Sequence, residues 1–131
     1  MAQPAAKQGD RVTALDIHLI QPPGAPPPPP VPVPHKFDGL LDTGLSTSVF
    51  ISGRPAATVT SVATNTPPHI PQGGVFVVPP TNKGRVTTGS LTVAINGKPA
   101  ARNGDVATTC NDAVEAPVGT VVAVGTVWIG G

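Results

Sequence analysis

The sequence predicts an all-β fold: three short strand units around a pseudo-threefold axis, with a proline-rich loop inserted in the first. Three observations carry this prediction. The composition disfavours helix, a strand-and-turn motif recurs 44 residues apart, and a third copy of that motif is split between the two ends of the chain.

Of the 131 residues, 15 are glycine and 18 proline, and Glu115 is the one glutamate. Helix surfaces favour Glu, Lys, Gln and Ala, whereas the Val and Thr that abound here favour strands, and Gly and Pro favour turns. Charged residues make up 11% of the chain, against roughly 25% in an ordinary soluble domain. Wholesale disorder is excluded, because 39% of residues are hydrophobic and the net charge is only +1. Eight basic residues are offset by seven acidic ones without clustering, so nucleic acid is not an expected partner. The length suits one domain over residues 1–131. Met1 to Lys7 lacks the apolar core of a signal peptide, and the 12-residue apolar stretch Val118 to Ile129 is shorter than the ~20 residues a spanning helix needs. Synthesis in the cytoplasm without a leader is therefore expected. Cys110 stands alone, so no internal disulfide can form.

The repeat can be followed residue by residue. Val49-Phe50-Ile51-Ser52-Gly53-Arg54-Pro55-Ala56-Ala57 matches Val93-Ala94-Ile95-Asn96-Gly97-Lys98-Pro99-Ala100-Ala101. The third copy begins at Val127-Trp128-Ile129-Gly130-Gly131 and resumes at Gln3-Pro4-Ala5-Ala6-Lys7-Gln8-Gly9-Asp10, so the repeat is circularly permuted. Alternating Val-x-Ile buries one face of a short strand, Gly permits a positive-φ turn, Pro fixes φ beyond it, and Ala-Ala lets backbones approach closely. Gly-Asp then marks a second tight turn in two copies. The middle copy has Thr60-Ser61 there, and its turn is expected to differ. The split copy requires the two chain ends to lie side by side.

Pro22 to Pro34 is expected to form an extended polyproline II loop without internal hydrogen bonds. Such a loop serves as a rigid surface element or as a docking site for an aromatic-lined groove. Lys83-Gly84-Arg85 is read as a solvated turn, Trp128 as packing in the last strand, and Phe37, Phe50 and Phe76 as core or base contacts.

The chain has three histidines and one cysteine: His18, His35, His69 and Cys110. Three imidazole nitrogens and one thiolate can make a tetrahedral site for a borderline-soft ion. No C-x-x-C or H-x-x-x-H spacing supports this, but the repeat phase does. His18 and His69 each follow their motif proline by 14 residues, and Cys110 follows its own by 11. Threefold symmetry would bring these positions to one end of the axis, with His35 joining from the proline insertion. The competing reading is three surface histidines and a thiol acting as a small hydrophobe. Asp16 and Asp112 are placed to orient ligands.

Lys98-Pro99-Ala100-Ala101-Arg102 carries the proline-alanine-alanine-arginine motif, and the chain resembles the PAAR-repeat family over nearly its whole length. The first copy has Lys7 in place of the arginine and the second has Thr58. The resemblance implies a small pointed cone that caps the trimeric valine-glycine-repeat spike of type VI secretion and related contractile injection systems. It also implies a structural zinc near the apex held by three histidines and a cysteine, here His18, His35, His69 and Cys110. One tip chain per spike trimer, possible carriage of effector proteins and only transient contact with a target membrane follow from the same resemblance. The base of such a cap would present strand edges and apolar residues drawn from Val49, Ile51, Val93, Ile95, Val127 and Ile129.

Two other readings compete. A zinc enzyme wants an open coordination position and a general base, and four protein ligands with Glu115 as the lone glutamate supply neither, so no enzyme is expected. An all-β protein-binding module using the proline-rich loop would bind without metal and without matching a trimer's symmetry.

Overall fold

The computed structural model describes residues 2–131, and among them there are thirteen strands and no helix. In chain order these are β1 (Gln3–Pro4), β2 (Arg11–Gln21), β3 (Val31–Thr43), β4 (Phe50–Ile51), β5 (Arg54–Pro55), β6 (Val62–Asn65), β7 (Val75–Phe76), β8 (Lys83–Val86), β9 (Ala94–Ile95), β10 (Lys98–Pro99), β11 (Val106–Thr109), β12 (Ala116–Val122) and β13 (Trp128–Ile129). The all-β expectation holds, and the arrangement is consistent with a small cone.

Each repeat contributes a short hairpin and a long one. The short hairpins are β4–β5, β9–β10 and β1–β13, and the last joins the two chain ends, with Gln3 opposite Ile129 and Pro4 opposite Trp128. The expected side-by-side termini are therefore observed. Ser52-Gly53 and Asn96-Gly97 turn two of these hairpins with φ of 51° and 80°, and 52° and 78°. Two successive positive φ values are what a tight hairpin with the right-handed twist of its strands requires.

The long hairpins β2–β3, β6–β8 and β11–β12 pair with one another in turn, and β12 returns to β2, so six strands close a small barrel. Between short and long hairpins the alanines form a cyclic joint. Ala6 N–H donates to Ala101 O, Ala101 N–H to Ala57 O, and Ala57 N–H to Ala6 O, at 2.9, 3.0 and 3.0 Å. Their side chains are fully buried, and any larger residue would hold the three backbones apart.

The turn after each alanine pair is the same in all three copies. Asp10, Ser61 and Asp105 N–H donate to Lys7, Thr58 and Arg102 O, and the third residue has φ of 88° (Gly9), 81° (Thr60) and 89° (Gly104). The expectation that Thr60-Ser61 would turn differently is thus overturned. Ser61 Oγ accepts from Thr58 N–H at 2.9 Å, as the Asp10 and Asp105 carboxylates accept from Lys7 and Arg102 N–H. Arg102 and Lys7 pair with Asp105 and Asp10, and the middle copy has lost both partners together, leaving no charge stranded.

The core is layered along the axis. Ile51, Ile95 and Ile129, each 7% exposed, close the base with Ala5, Ala56 and Ala100. The valines of the same hairpins turn outward to different degrees, Val93 and Val127 exposed and Val49 packed against this layer. Above the alanines come Val12, Ala63 and Ala107 with Leu41, Val86 and Val121. Next, Phe37 occupies the centre; Gly39 and Gly84 make room for it, and Gly119 on the third hairpin lies close to Ala107 and Thr109. A Cβ on Gly39 would lie 2.9 Å from Phe37 and from the Thr64 backbone, one on Gly84 3.2 Å from Phe37, and one on Gly119 2.9 Å from Ala107 O. Lys83-Gly84-Arg85 therefore lies in strand β8 and is not a solvated turn; an apolar pattern could not show it, because the inward residue is a glycine.

Beyond Phe37 the copies diverge. The first hairpin runs on through His18 and His35 to Ile20 opposite Val31. Only Pro22 to Pro30 is loop, and Val31 to Pro34 belong to β3, contrary to the expected loop over 22–34. Alternating proline is tolerated because this part of β3 pairs on one side alone, where half the N–H positions point away from the ladder. The second copy sends residues 66–82 across this end, where β7 pairs with Ile20 and Gln21.

Candidate metal centre

The barrel's inward positions past Phe37 are polar. Along β2, Val12, Asp16, His18 and Ile20 are buried in alternation. β3 brings His35, the loop after β6 brings His69, and the residue after β11 is Cys110. The three imidazoles form a triangle with ring centroids 5.0 Å (His18–His69), 5.5 Å (His18–His35) and 5.5 Å (His35–His69) apart. The rings are closed off by Phe76, 5.8 Å from His18 and 5.5 Å from His35, and by Phe37, 6.1 Å from His69. Phe76 is thus a cap of the histidine cluster and belongs to neither the core nor the base.

Donor atoms of Asp16, His18, His69 and Cys110 all lie within 4.8 Å of one another, and all four residues are buried. The sequence groups His18, His35, His69 and Cys110. The structure puts three of them, His18, His69 and Cys110, in that group together with Asp16, while His35 stands beside it, its ring centroid 5.5 Å from those of His18 and His69. Alternation along β2 was the signal for Asp16, since it shares the inward face with His18.

The hydrogen-bond inventory fits a metal ion. His18 Nδ1 and Nε2 and His35 Nε2 are buried with no hydrogen-bond partner, a costly state for polar atoms unless something else engages them. His35 Nδ1 lies 2.9 Å from Val33 O, which fixes the proton there and leaves Nε2 as a free lone pair. His18 Nδ1 lies 3.6 Å from Asp112 Oδ2, and that carboxylate is held in turn by Leu19 N–H at 2.8 Å. His69 Nδ1 faces Asn65 Nδ2 at 3.2 Å. Burial lowers the pKa of His18, which keeps the ring neutral and able to ligate. Burial, reinforced by the Asp16 charge, pushes the Cys110 thiol up to about 11. Without an ion Cys110 is a thiol donating to Asp16 Oδ2 at 3.4 Å, and an ion must displace that proton. Neutral imidazoles, a thiol and a carboxylate in one dry cluster are a donor set for a borderline divalent metal.

Comparison with known families gives one match, to the PAAR motif, over residues 41–114 and again over 77–131. No curated protein matches the chain. The two stretches together take in β4 to β13, two of the three repeat units entire and the C-terminal half of the split one. The match, the threefold repeat and the all-β barrel agree: the chain belongs to the PAAR motif family, the spike-tip proteins of type VI secretion.

Proposed function

We propose that this protein is a metal-stapled cap on the trimeric β-helical spike of a type VI secretion or contractile injection apparatus. The observation that carries the reading is the threefold base. Three equivalent hairpins and a cyclic hydrogen-bonded joint in a single chain match the symmetry of a homotrimer, so one cap meets three spike chains. A trimeric β-helix ends in unpaired strand edges, and short strands presented at threefold positions extend them. Phe50 and Trp128, 57% and 58% exposed at matching positions of β4 and β13, are apolar anchors for that contact. Trp128 was expected to pack inside, and its outward position suits this role.

The opposite end suits a point. From Ile17 to His35 and from Thr66 to Asn82 there is no charged side chain, and nine of the thirteen residues from Pro22 to Pro34 lack a backbone N–H. Such a surface loses little hydration free energy when driven through a bilayer. His18, His35, His69 and Cys110 hold a zinc ion that ties this end together. In that role the metal supplies folding energy rather than reactivity, which makes the part structural rather than enzymatic. The chain is made in the cytoplasm, leaves with the apparatus, and carries any effectors on its flanks.

Mixing the purified chain with the spike trimer of the same system and weighing the complex by native mass spectrometry tests this. One cap per three spike chains is expected. Phe50→Asp with Trp128→Asp should abolish the complex while the melting temperature stays unchanged. Absence of any complex at micromolar concentrations would refute the cap.

A further inference from the structure

We propose that the ion reaches the buried cluster through one opening, the cleft between residues 78–81 and 110–113, where Glu115 at the mouth and Asp112 in the wall capture a divalent cation from solvent. This rests on the metal reading above and deepens it, because it concerns how the ion arrives.

The charges around the cluster single out that opening. One cleft comes down on His35 and His69, and its walls include Pro67, Pro68, Lys36 and Asp38. There Asp38 is already paired, accepting from Arg11 Nη1 at 2.9 Å, and the exposed Lys36 sets the sign. A second cleft comes down on His18 and Cys110, with Val78, Pro79, Pro80 and Ala113 as apolar walls. Its charged side chains are Asp112 and Glu115, and among the described residues no lysine or arginine lines it. A cleft of one sign between apolar walls concentrates ions of the opposite sign. Glu115 is the one glutamate of the chain, and no other role in the fold accounts for it.

The cleft also ends on atoms that lack partners. His18 is 1% exposed, and neither of its ring nitrogens has a hydrogen-bond partner. Nδ1 lies 3.6 Å from Asp112 Oδ2, so this carboxylate is the last charged group before the imidazole. Asp112 is held in place at two points: Oδ2 accepts from Leu19 N–H at 2.8 Å, and its own N–H donates to Ile17 O at 2.8 Å. The two acids form a graded approach, Glu115 exposed and the Asp112 side chain only 7% exposed. A dication pays heavily for leaving water in one step. Carboxylate oxygens met in succession replace its hydration gradually.

Stopped-flow mixing of the metal-free, full-length chain with Co²⁺ at low ionic strength, followed by the visible bands of the bound ion, reads the approach. Glu115→Gln should slow uptake about fivefold and Glu115→Lys about 25-fold, and both effects should shrink as salt is added. Glu115 is exposed, so neither variant threatens the fold. Asp112→Asn, whose amide oxygen can still accept from Leu19 N–H, should slow uptake as well. Release to excess chelator should slow by the same factor in the Glu115 variants, leaving the equilibrium affinity unchanged, because a group on the route alters rates and a ligand alters affinity. Lys36→Gln, at the other cleft, should leave the rate as it is. Unaltered uptake in both Glu115 variants would overturn the route and leave the metal reading intact, and so would faster uptake by Lys36→Gln. A chain that takes up no ion overturns both readings.

Discussion

Below Phe37 the three repeats do the same thing, and above it no two do. At the base each copy supplies one isoleucine, two alanines and one tight turn, and the layers fill by symmetry. At the far end the first copy supplies a long hairpin, the second a wrapping loop and the third a short corner at Cys110. The difference follows from what each end packs with. Apolar layers of alanine and branched aliphatic side chains close around an axis from three similar contributions. A cluster of unlike polar side chains cannot come from one repeated residue, so the copies differ where Asp16, His18, His69 and Cys110 meet. The base is held by packing and backbone hydrogen bonds, whereas the far end gathers a buried cluster of polar side chains closed off by Phe76.

The largest expected effect tests that division. Structural zinc in small sites contributes about 10–16 kcal/mol of apparent folding energy at pH 7. Stripping the metal with a chelator, or replacing His18 by Ala, should therefore release amide protons in β7 and the outer halves of β2 and β3. Amides of Ala6, Ala57 and Ala101 should stay protected in hydrogen exchange. Equal loss of protection at both ends would break the comparison. Next come Ile51→Ala, Ile95→Ala and Ile129→Ala. Each should cost about 2–5 kcal/mol in urea unfolding, similar to one another and unaffected by metal. Unequal costs would show that the base is threefold in shape but not in energy.

Acidity sharpens the comparison further. Because the Cys110 thiol is raised to about 11, zinc binding releases its proton, and affinity should rise about tenfold per pH unit from pH 7 to 9. Cys110→Ser should flatten that slope in a chelator competition. In the metal-free protein the lowered pKa of His18 means that the unfolded chain binds more protons than the folded one just below pH 6.5. Stability of the metal-free form should fall as pH drops through that window, and His18→Gln should remove the dependence. The smallest effect lies in the middle copy. Thr60 holds φ at 81°, where its two counterparts are glycines, and Thr60→Gly should stabilise by about 1 kcal/mol in thermal unfolding.

The base was legible in the sequence because its physics is periodic. Val-x-Ile, the following glycine, the proline and the paired alanines recur at one spacing, and together they imply the hairpins, the joint and the seam between the chain ends. Thr60-Ser61 was misread because the turn depends on a positive φ and a side-chain acceptor, both of which Thr and Ser can supply at some cost. The tip was legible only in its residue types and in the repeat phase of His18, His69 and Cys110. Phe76 reaches the histidines through a pairing between β7 and β2 that no local pattern announces. Gly84 looks like a turn residue until Phe37 is seen packed against it.

The seam between β1 and β13 also constrains how the molecule is made. Gln3 finds its partner at Ile129, almost the full length of the chain away, and the cyclic joint needs Ala6, Ala57 and Ala101 together. During synthesis β1 emerges before every other strand described above and waits for β13, the last of them, to find its mate. Contacts this distant in sequence make for slow folding. The strand around Ile129 acts as a latch, and until it arrives the short hairpins of the base belong to an open ring.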